Sequence, residues 1–562
     1  MLRVPQALQQ RLSDLLARIP LSALTVLDVG CGGGALVAAY RPLNPRAHLL
    51  GIEIEPAAAA LAATYFDQIA GTDVEIEPMP FDIPDGIDCI IYNEILEHLR
   101  DPWGLIRRHA EALSPNGMML ICAVNEDHWR FTEWHLRGLP SEGNPQHGFT
   151  VEQMQDSLAA AGLILCDMMA WAPDMDANAI SAGRFAAAQA AGLEGLGIDP
   201  AEYARRAAPS HLIWRVRKEP RQRMILSSTM LEPVAGVSHV RVVYPIRAIG
   251  SDPMVQASVT NLVTTGQSGD RIARLFILHR PSLFGEQGQD TLQRITDAGF
   301  LAITEFDDLP EHFDMMRVGG ALSFYGAHAL QTSTIAMADA LRPYNREIAV
   351  FPNAMVALPE VANFTDPNTL TLFFGALNRE RDWLPLMPAI NAIAVMAGER
   401  LRFQVVHDRG FFEALATPHK AFTPICDHET YLRLVGGSEI SFMPLSDNRF
   451  NRAKSDLKFI EAAACRTVAL ASSVVYGDSI EDGRTGLIFR DPVQFHAQLL
   501  RLLAMPEWAR DLGDAARRYV AEERMLAYQV APRIAWYRSL WARREVLDAA
   551  RRERMRRYQT GN

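Results

Sequence analysis

Short apolar runs alternate with segments of helical period along the first part of the chain. Residues 1–20 carry Leu and Ile at helical spacing, which predicts a helix leading into the first strand. From Thr25 to Asn125, strand-length apolar runs alternate with helical segments. That alternation is typical of a parallel sheet with helices on both faces. We therefore predict an α/β fold for this region.

The first apolar run ends in a cluster of glycines. The run carries an acid, Asp28, and Gly30, Gly32 and Gly34 follow, before a helix predicted over 35–40. Glycines adopt positive φ and let the backbone approach a ligand closely, so a tight turn is expected. The glycine spacing alone does not exclude a dinucleotide site. Because the acid repels a pyrophosphate and attracts a cation, a ligand with an ammonium and a sulfonium fits better.

The order of the next motifs resembles class I methyltransferases of the ubiquinone-biosynthesis type. Glu53 ends the second apolar run, Asp82 follows Phe81, and a Leu-Glu-His segment lies within 93–102. The resemblance implies a Rossmann-like domain that binds S-adenosyl-L-methionine at Asp28 and the glycine turn. It also implies that Glu53 binds the two ribose hydroxyls and that Asp82 lies beside the adenine amino group.

Two histidines are candidate catalytic bases for methyl transfer. His98 closes the Leu-Glu-His segment, and His147 lies in a Gln-His-Gly-Phe-Thr segment that resembles one closing over the acceptor in related enzymes. Transfer to a hydroxyl requires removal of a proton, and imidazole titrates near neutral pH. A packing or capping role for His98 is an equal alternative.

The end of this domain is predicted from a pair of strands. Residues 163–169 and 212–218 are strand-like, and an alanine-rich helical stretch at 173–209 separates them. The methyltransferase resemblance implies a closing β-hairpin, so we interpret 173–209 as an insertion within it. The predicted domain then spans 1–220.

A fresh α/β pattern fills the rest of the chain. Strand-like runs at 224–227, 241–245, 273–278, 301–306 and 349–353 precede a second series that starts at residue 370. Chains of more than about 300 residues divide into domains, and this one has 562 residues. Two further Rossmann-like domains are therefore expected.

Residues 223–540 resemble the two-lobed GT-B glycosyltransferases, with lobes predicted at 223–360 and 361–540. In the second lobe, Arg379 and Arg381 follow a strand that ends at Gly375. The resemblance implies that such cations hold the diphosphate of a nucleotide sugar. Guanidinium groups offer forked donors to phosphate oxygens, although two solvated surface arginines are the alternative.

A second motif in that lobe is Lys454-Ser-Asp-Leu-Lys458 with Glu461 close behind. The resemblance implies that Glu461 binds the ribose hydroxyls of the nucleotide and that the two lysines approach phosphate or sugar. The family often carries another glutamate eight positions earlier, where this chain has Ala453. That departure leaves open a degenerate module that binds without catalysis.

Acids also end a strand of the first lobe, at Glu305, Asp307 and Asp308. In a cleft between lobes they would orient sugar hydroxyls or activate an acceptor, and a solvated turn cap is the alternative. No metal site is indicated, since the resemblance implies that cations and helix ends manage the charge of the leaving group.

Composition narrows the class of protein. The apolar fraction of 49%, the charged fraction of 22% and the formal net charge of −11 are ordinary for a globular protein and argue against broad nucleic-acid binding. The six cysteines show no zinc-like spacing, which favours reduced thiols. With no signal peptide and no membrane-length apolar run, a cytoplasmic location is expected.

The last segment, 541–562, is predicted to be a basic helix. Its arginines alternate with acids, which is typical of a solvated helix. A weak contact with the anionic inner face of a membrane is the alternative, and it would suit work on lipid-linked glycans.

The combined prediction is a bifunctional enzyme of surface-polysaccharide or glycan assembly. One half transfers methyl from S-adenosylmethionine, and the other transfers a sugar from a nucleotide sugar to a glycan or lipid-linked glycan acceptor. Two alternatives stay open. The second half is a catalytically degenerate glycan-binding module, or the methyl acceptor is a small quinone-like or lipid molecule.

Overall fold

The computed structural model describes residues 6–137, 148–219, 221–230, 236–260, 272–312 and 321–560. These residues form two compact units. The first unit holds the chain up to Gln222 apart from Pro42–Pro45, together with Ser251–Met254. The second unit holds Pro42–Pro45 and the rest of the chain from Arg223 onward.

The first unit is built on one mixed sheet. Among its described residues, seven strands lie in the order β3-β2-β1-β4-β5-β7-β6. The strands are β1 Thr25–Val29, β2 His48–Ile52, β3 Gln68–Ala70, β4 Ile87–Asn93, β5 Leu113–Val124, β6 Ile164–Trp171 and β7 His211–Arg217. Neighbours from β3 to β5 pair in parallel, whereas β7 is antiparallel to both β5 and β6. The carboxyl ends of β1, β2 and β4 therefore share one edge.

Helices cover both faces of this sheet. They are α1 Gln6–Leu16, α2 Ala35–Tyr40, α3 Pro56–Ala62, α4 Pro102–Ala112, α5 Trp129–Arg137, α6 Val151–Ala160, α7 Met175–Ala188, α8 Ala190–Gly195 and α9 Pro200–Ala207. A 3₁₀ turn, Leu96–His98, follows β4. Between β6 and β7, α7 packs against α9 around a small core of its own that includes Ala182, Ala186 and Tyr203.

The second unit contains two lobes, each with a parallel six-stranded sheet in its described part. The first lobe orders its strands β13-β12-β11-β10-β8-β9, and the second orders them β16-β15-β14-β17-β18-β19. The first set is β8 Met224–Ser228, β9 Val255–Val259, β10 Ala273–His279, β11 Leu301–Glu305, β12 Ala329–Thr332 and β13 Ile348–Val350. The second set is β14 Leu370–Gly375, β15 Leu401–Val406, β16 Lys420–Thr423, β17 Ile440–Met443, β18 Val468–Ser472 and β19 Leu487–Phe489.

The helices of the second unit fill the crossovers between these strands. In the first lobe they are α10 Tyr244–Gly250, α11 Gly285–Asp297, α12 Leu322–Tyr325 and α13 Ile335–Leu341. In the second lobe they are α14 Glu380–Trp383, α15 Met387–Ala397, α16 Arg409–Ala414, α17 His428–Gly436, α18 Arg449–Arg452, α19 Leu457–Ala464 and α20 Pro492–Ala504. The chain ends with α21 Pro506–Glu523, α22 Ala527–Ala542 and α23 Arg544–Thr560. The three sheets confirm the predicted α/β class with Rossmann-like sheets.

One strand prediction in the first lobe is wrong. The valine-rich run 241–245 forms a π-helical turn, His239–Val243, that continues into α10. Val240, Arg241 and Val242 are all buried, whereas a half-buried strand would alternate buried and exposed side chains. The Arg241 guanidinium donates to Glu305 at 2.8 Å, and this buried contact accompanies the helical form. A strand that was not predicted, β9, lies at the edge of this sheet.

The C-terminal helices return from the second lobe to the first. Helix α21 packs on α19 and β18 of the second lobe, while α22 packs on α10 and β10 of the first. Helix α23 is anchored on the first lobe through Arg551, which donates to the Gly326 carbonyl at 2.7 Å, and Arg554, which donates to the Ala327 carbonyl at 2.6 Å. Part of the basic face predicted for a membrane is thus used within the fold. In the described part of the chain, every helix is too short or too polar to span a bilayer.

Candidate active sites

The first candidate site is the glycine turn at the carboxyl end of β1. Gly30, Gly32 and Gly34 have φ of 69°, 52° and 79°, a region that side chains rarely adopt. A Cβ atom on Gly30 would lie 2.8 Å from Cδ1 of Ile95, which follows β4. The turn therefore requires glycine here and lies directly beside the segment after β4.

Glu53 lies against this turn. Its Oε2 accepts a hydrogen bond from the Gly32 amide at 2.7 Å, and its Oε1 accepts one from the Glu55 amide at 2.9 Å. Both bonds orient the carboxylate at the end of β2. The structure thus brings together the glycine turn and the acid that the sequence predicted for ribose hydroxyls.

Asp28 is the second acid at this edge. It is 3% exposed and pairs in register with Gly51 of β2 and Ile91 of β4. Burial, followed by the nearby Glu53 carboxylate, raises the pKa of Asp28 to about 7. Two neighbouring carboxylates at the edge of the sheet favour a cationic ligand. A bound cation offsets the repulsion between the two negative charges and the cost of burying the Asp28 carboxylate.

The loop between β3 and β4 carries two acids in different places. Asp82 is exposed and lies beyond Pro78, whose carbonyl accepts from His109 Nε2 at 2.6 Å in the last turn of α4. Asp82 lies in the part of the loop that leads to the start of β4. Asp73, three residues after β3, lies on the carboxyl side and accepts from the Glu75 amide at 2.9 Å. Sequence reasoning missed Asp73, although it is the first acid after the third strand.

The Leu-Glu-His segment lies in the 3₁₀ turn after β4. Its histidine, His98, is exposed. Its Glu97 is 1% exposed and accepts from the Val124 amide at 2.6 Å, so it ties the end of β4 to the end of β5. Burial raises the pKa of Glu97 to about 7. His147 lies outside the described residues.

Sequence reasoning also missed a charged cluster beside this turn. Glu94, at φ 55°, accepts from Arg11 at 3.1 Å, and its Oε1 lies 2.8 Å from Nε2 of His211 at the start of β7. Burial opposes ionisation of Glu94, but the bonds from His211 and Arg11 outweigh it and lower the pKa. Because the partners lie 83 and 117 residues away in sequence, no local pattern indicates this cluster.

The second candidate site lies between the two lobes of the second unit. Two adjoining cavities of about 190 and about 310 Å³ share one wall. That wall is formed by Val237, Gly375, Ala376, Arg379, Leu457 and Lys458. The lining of the smaller cavity includes charged groups of both lobes, and the larger cavity extends over apolar side chains at the carboxyl ends of β14 and β15.

Two of the predicted cations lie in the shared wall. Lys458 in the first turn of α19 donates to the Gly375 carbonyl, and burial lowers the pKa of its ammonium to about 8. Arg379 donates to Asp382 at 3.0 Å and to Asn451 at 2.7 Å. Arg381 is exposed and lies outside the lining of both cavities. The structure thus brings Lys458 and Arg379 together and leaves Arg381 apart.

Glu461 lines the larger cavity from α19. It is 4% exposed, and its Oε1 lies 2.9 Å from Nε2 of His428, the first residue of α17. Nδ1 of His428 lies 3.0 Å from the hydroxyl of Tyr244 in the first lobe. Sequence reasoning found Glu461 but neither of these partners.

Ala453 occupies the position at which the resemblance implies a second glutamate. Ala453 is 6% exposed and packs in an apolar cluster of the first lobe with Phe306 and Leu309. Its neighbour Lys454 reaches Asp308 across the cleft at 2.5 Å. Lys454 therefore lines the smaller cavity with an acid already paired to it.

Asp308 also accepts from Arg280, at 2.9 Å, and the same guanidinium contacts Asp307 at 2.6 Å. Two of the acids predicted at this strand end thus face the cleft. The third, Glu305, is 1% exposed and is bound to Arg241 behind it. Across the described ranges, no group of three His, Cys, Asp or Glu side chains is arranged to hold a metal ion.

Comparison with known proteins assigns a family to part of each unit. Residues 3–165 match a family described as a methyltransferase domain, and residues 389–532 match one described as glycosyl transferase-like. The chain thus joins a methyltransferase domain to a glycosyltransferase-like domain, which confirms the predicted fusion.

Two relatives among characterised proteins are ubiquinone biosynthesis O-methyltransferases. The chain is similar to a ubiquinone biosynthesis O-methyltransferase of Cereibacter sphaeroides, 27% identical over 161 residues that make up 27% of this chain and 64% of the relative. It is 33% identical over 120 residues to that of Xylella fastidiosa, covering 20% of this chain and 48% of the relative. The chain spans less than two thirds of the length of these relatives.

Among solved structures, the chain is similar to TarM, at 11% identity and a TM-score of 0.38, covering 48% of this chain and 55% of TarM. It is also similar to an S-adenosylmethionine dependent methyltransferase from Mesorhizobium loti, at 19% identity and a TM-score of 0.26. That alignment covers 38% of this chain and 98% of the other.

Proposed function

We propose that the chain is a bifunctional transferase. The first domain transfers a methyl group from S-adenosylmethionine to an acceptor hydroxyl, and the second transfers a glycosyl group from a nucleotide sugar. The observation that carries the proposal is the pair of acids, Asp28 and Glu53, at a glycine turn that a side chain could not occupy. This edge of the sheet is where α/β proteins bind ligands.

The residues of the first site have distinct roles in this proposal. Bound S-adenosylmethionine supplies an electrophilic methyl group on a positively charged sulfur. The acceptor oxygen attacks that methyl carbon, the carbon–sulfur bond breaks with its electron pair on sulfur, and the acceptor proton passes to a base. Glu94, held ionised by Arg11 and His211 beside the turn, is placed to accept a hydrogen bond from the acceptor. Alignment of the reacting atoms supplies much of the rate.

Asp28 and Glu53 also favour release of the product. Methyl transfer converts the cationic sulfonium into a neutral sulfide, so the attraction to Asp28 and Glu53 falls once the reaction is complete. The product is therefore held less tightly than the donor by these two groups. His98 and His147 stay candidate bases, and Asp73 joins Asp82 as a candidate for the adenine amino group.

The methyltransferase proposal is tested with tritiated S-adenosylmethionine. Equilibrium dialysis of the intact protein is expected to show binding, which Asp28→Asn and Glu53→Gln each weaken. The exposed Asp85→Asn serves as a matched control, since Asp85 lies at the other end of β4. Label transfer to a glycan extract and to a quinol-type acceptor, measured side by side, distinguishes the two acceptor classes. Absence of donor binding would overturn the proposal.

The second domain is proposed to hold the diphosphate of a nucleotide sugar on Lys458 and Arg379. During transfer the bond between the anomeric carbon and the phosphate oxygen breaks, and that carbon bonds to an acceptor oxygen. Negative charge then grows on the leaving diphosphate, where a buried ammonium and a guanidinium stabilise it. Calorimetry with UDP and GDP is expected to show binding that Lys458→Met weakens and Arg381→Met does not.

A second candidate function for this domain is supported by Ala453. An apolar cluster surrounds this position, so no carboxylate reaches the sugar from it. A domain of that kind would bind a sugar nucleotide or glycan and position it without transfer. Binding of UDP-sugars or GDP-sugars without slow hydrolysis or transfer would favour this candidate over the glycosyltransferase.

The shared substrate is proposed to be a surface polysaccharide or another glycan, with a lipid-linked glycan as one form of acceptor. The joining of the two transferase-type domains in one chain supports this. Mass spectrometry of surface glycan from strains with and without the gene is the test. Loss of both a methyl group and a sugar from the same glycan is expected, and an unchanged glycan would contradict the proposal.

A further inference from the structure

The larger of the two adjoining cavities is lined by a buried histidine that bonds to its acid, Glu461. His428 is 6% exposed and is held at the first turn of α17, where Asp427 caps the helix by accepting from the Thr430 amide at 2.7 Å. Its ring stacks with His239, with centroids 6.0 Å apart, and with Tyr431, at 6.3 Å. These two contacts restrict the orientation of the ring.

The hydrogen bonds of His428 set its chemistry. Nε2 lies 2.9 Å from Oε1 of Glu461, and Nδ1 lies 3.0 Å from the hydroxyl of Tyr244. A neutral imidazole has one donor and one acceptor. Oε1 of Glu461 accepts from Nε2–H, which leaves Nδ1 to accept from the Tyr244 hydroxyl. A single chain of hydrogen bonds then runs from the first lobe to the carboxylate in the cavity.

We infer that His428 is a positioning residue that orients the Glu461 carboxylate toward the ribose of the bound nucleotide, and that Tyr244 fixes the tautomer of His428. This inference rests on the proposed nucleotide-sugar site. Oε1 of Glu461 is occupied by the imidazole, so Oε2 is the oxygen presented to a ligand. A carboxylate that is held in one orientation loses less conformational freedom when a ligand binds.

Tyr244 belongs to the first lobe and Glu461 to the second, so the relay also links the lobes. The position of α10 would therefore affect how the second lobe binds a nucleotide, because Tyr244 is the first residue of α10. Gly236 lies beside the relay, because a Cβ atom there would be 3.5 Å from Cδ2 of His428. Gly236 thus lies against the ring from the first lobe.

The test compares ligands that differ only in the ribose. UDP and GDP are each titrated into the full-length protein alongside their 2′,3′-dideoxy counterparts. The unmodified protein is expected to favour the ribose form. His428→Phe, which retains a ring but no donor, is expected to lose about tenfold in affinity for the ribose form, as one charge-assisted hydrogen bond would imply. The dideoxy form is expected to bind both proteins equally.

Further variants separate positioning from a general packing defect. His428→Gln keeps an amide donor and is expected to recover most of the affinity. Tyr244→Phe is expected to reduce it by a few-fold only. His496→Phe makes the same substitution in α20, outside both cavities, and is expected to change nothing. Thermal unfolding of each variant checks that the fold is retained.

Each result bears on one proposal. Equal losses for the ribose and dideoxy forms in His428→Phe, or full affinity in that variant, would overturn the inference while leaving the nucleotide site in place. Failure of the unmodified protein to bind UDP and GDP would instead overturn the proposed nucleotide-sugar site, and the inference with it. Unchanged binding of both ligands on replacement of Glu461 by Gln would also refute the positioning role.

Discussion

The ammonium of Lys454 lies 2.5 Å from Oδ1 of Asp308, and the two residues belong to different lobes of the second unit. Their side chains are only 26% and 16% exposed. This ion pair lines the smaller cavity and stands next to Ala453, where the resemblance to GT-B glycosyltransferases implies a glutamate. Asp308 of the first lobe therefore lines the cavity near this position, where the resemblance implies a glutamate of the second lobe.

This pair is expected to stabilise the contact between the two lobes of the second unit. A double-mutant cycle with Lys454→Met and Asp308→Asn should give a coupling energy of about 1 kcal/mol in urea unfolding, because both groups are largely shielded from solvent. The matched control is Arg452 with Asp447, a pair within the second lobe whose side chains are 67% and 58% exposed. That control should couple far more weakly, and equal coupling in both cycles would contradict the assigned role.

Binding of S-adenosylmethionine is expected to strengthen as the pH rises through about 7. Burial and Glu53 raise the pKa of Asp28 to about 7 in the free protein, and a bound cation favours the ionised carboxylate. Affinity measured from pH 6 to pH 8 by calorimetry should therefore increase in the unmodified protein. Asp28→Asn removes this titration and should bind more weakly, with a flatter pH profile. An identical slope in both proteins would exclude Asp28 as the titrating group.

The same carboxyl should also make stability depend on pH in the free protein. A carboxyl whose pKa is raised on folding binds more protons in the folded state, so an increase in pH destabilises that state. Asp28→Asn should therefore raise the unfolding temperature more at pH 8 than at pH 5. The corresponding gain in the free energy of unfolding should be about a few kcal/mol at most. The exposed Asp85→Asn should show no such trend when scanned by calorimetry.

Diphosphate binding is expected to weaken at alkaline pH. Burial lowers the pKa of Lys458 to about 8, so its charge is present at pH 7 and declines above pH 8. A bound phosphate would raise that pKa, and affinity for UDP should fall between pH 8 and pH 9.5. Lys458→Met should bind UDP more weakly at pH 7 and lose this decline. A decline that persists in the variant would assign the titration to another group.

A glutamate at position 453, which the resemblance to GT-B glycosyltransferases implies, is expected to destabilise the protein. Ala453 packs among Phe306, Leu309 and Phe324 of the first lobe, so Ala453→Glu would force a carboxylate into an apolar cluster. The cost should be about 3 kcal/mol or more, seen as a lower urea midpoint, with no gain in transferase activity. Ala453→Ser, a smaller change, should cost less. Higher activity in the glutamate variant would show that the cluster can open.

The local patterns predicted much of the fold for a physical reason. The β1 run, the glycine turn and the helix over 35–40 depend on neighbours in sequence, and each was found where it was expected. The run 241–245 shows the limit, since its valines favour a strand and yet it is helical with Arg241 bound to Glu305, 64 residues away. A contact of that range overrides local preference.

The candidate sites divide in the same way. Glu461 was found because it lies in a local motif with Lys458. Its partner His428 lies 33 residues before it, and Tyr244 lies 184 residues before His428, so neither spacing forms a readable pattern. Arg381 shows the reverse case, because a cation in a favourable motif faces solvent instead of the cavity.

The anchoring of α23 on the first lobe has a consequence for how the protein is made. His328, 1% exposed in its side chain, bonds to Asp548 at 2.9 Å, and Met555 and Tyr558 pack against the apolar cluster around Phe276. The first lobe is thus completed by residues that are translated after the whole second lobe. During synthesis, the surface of the first lobe that binds α23 stays exposed until the last residues are translated. We therefore expect the first lobe to complete its folding last, although its sheet is synthesised before the second lobe.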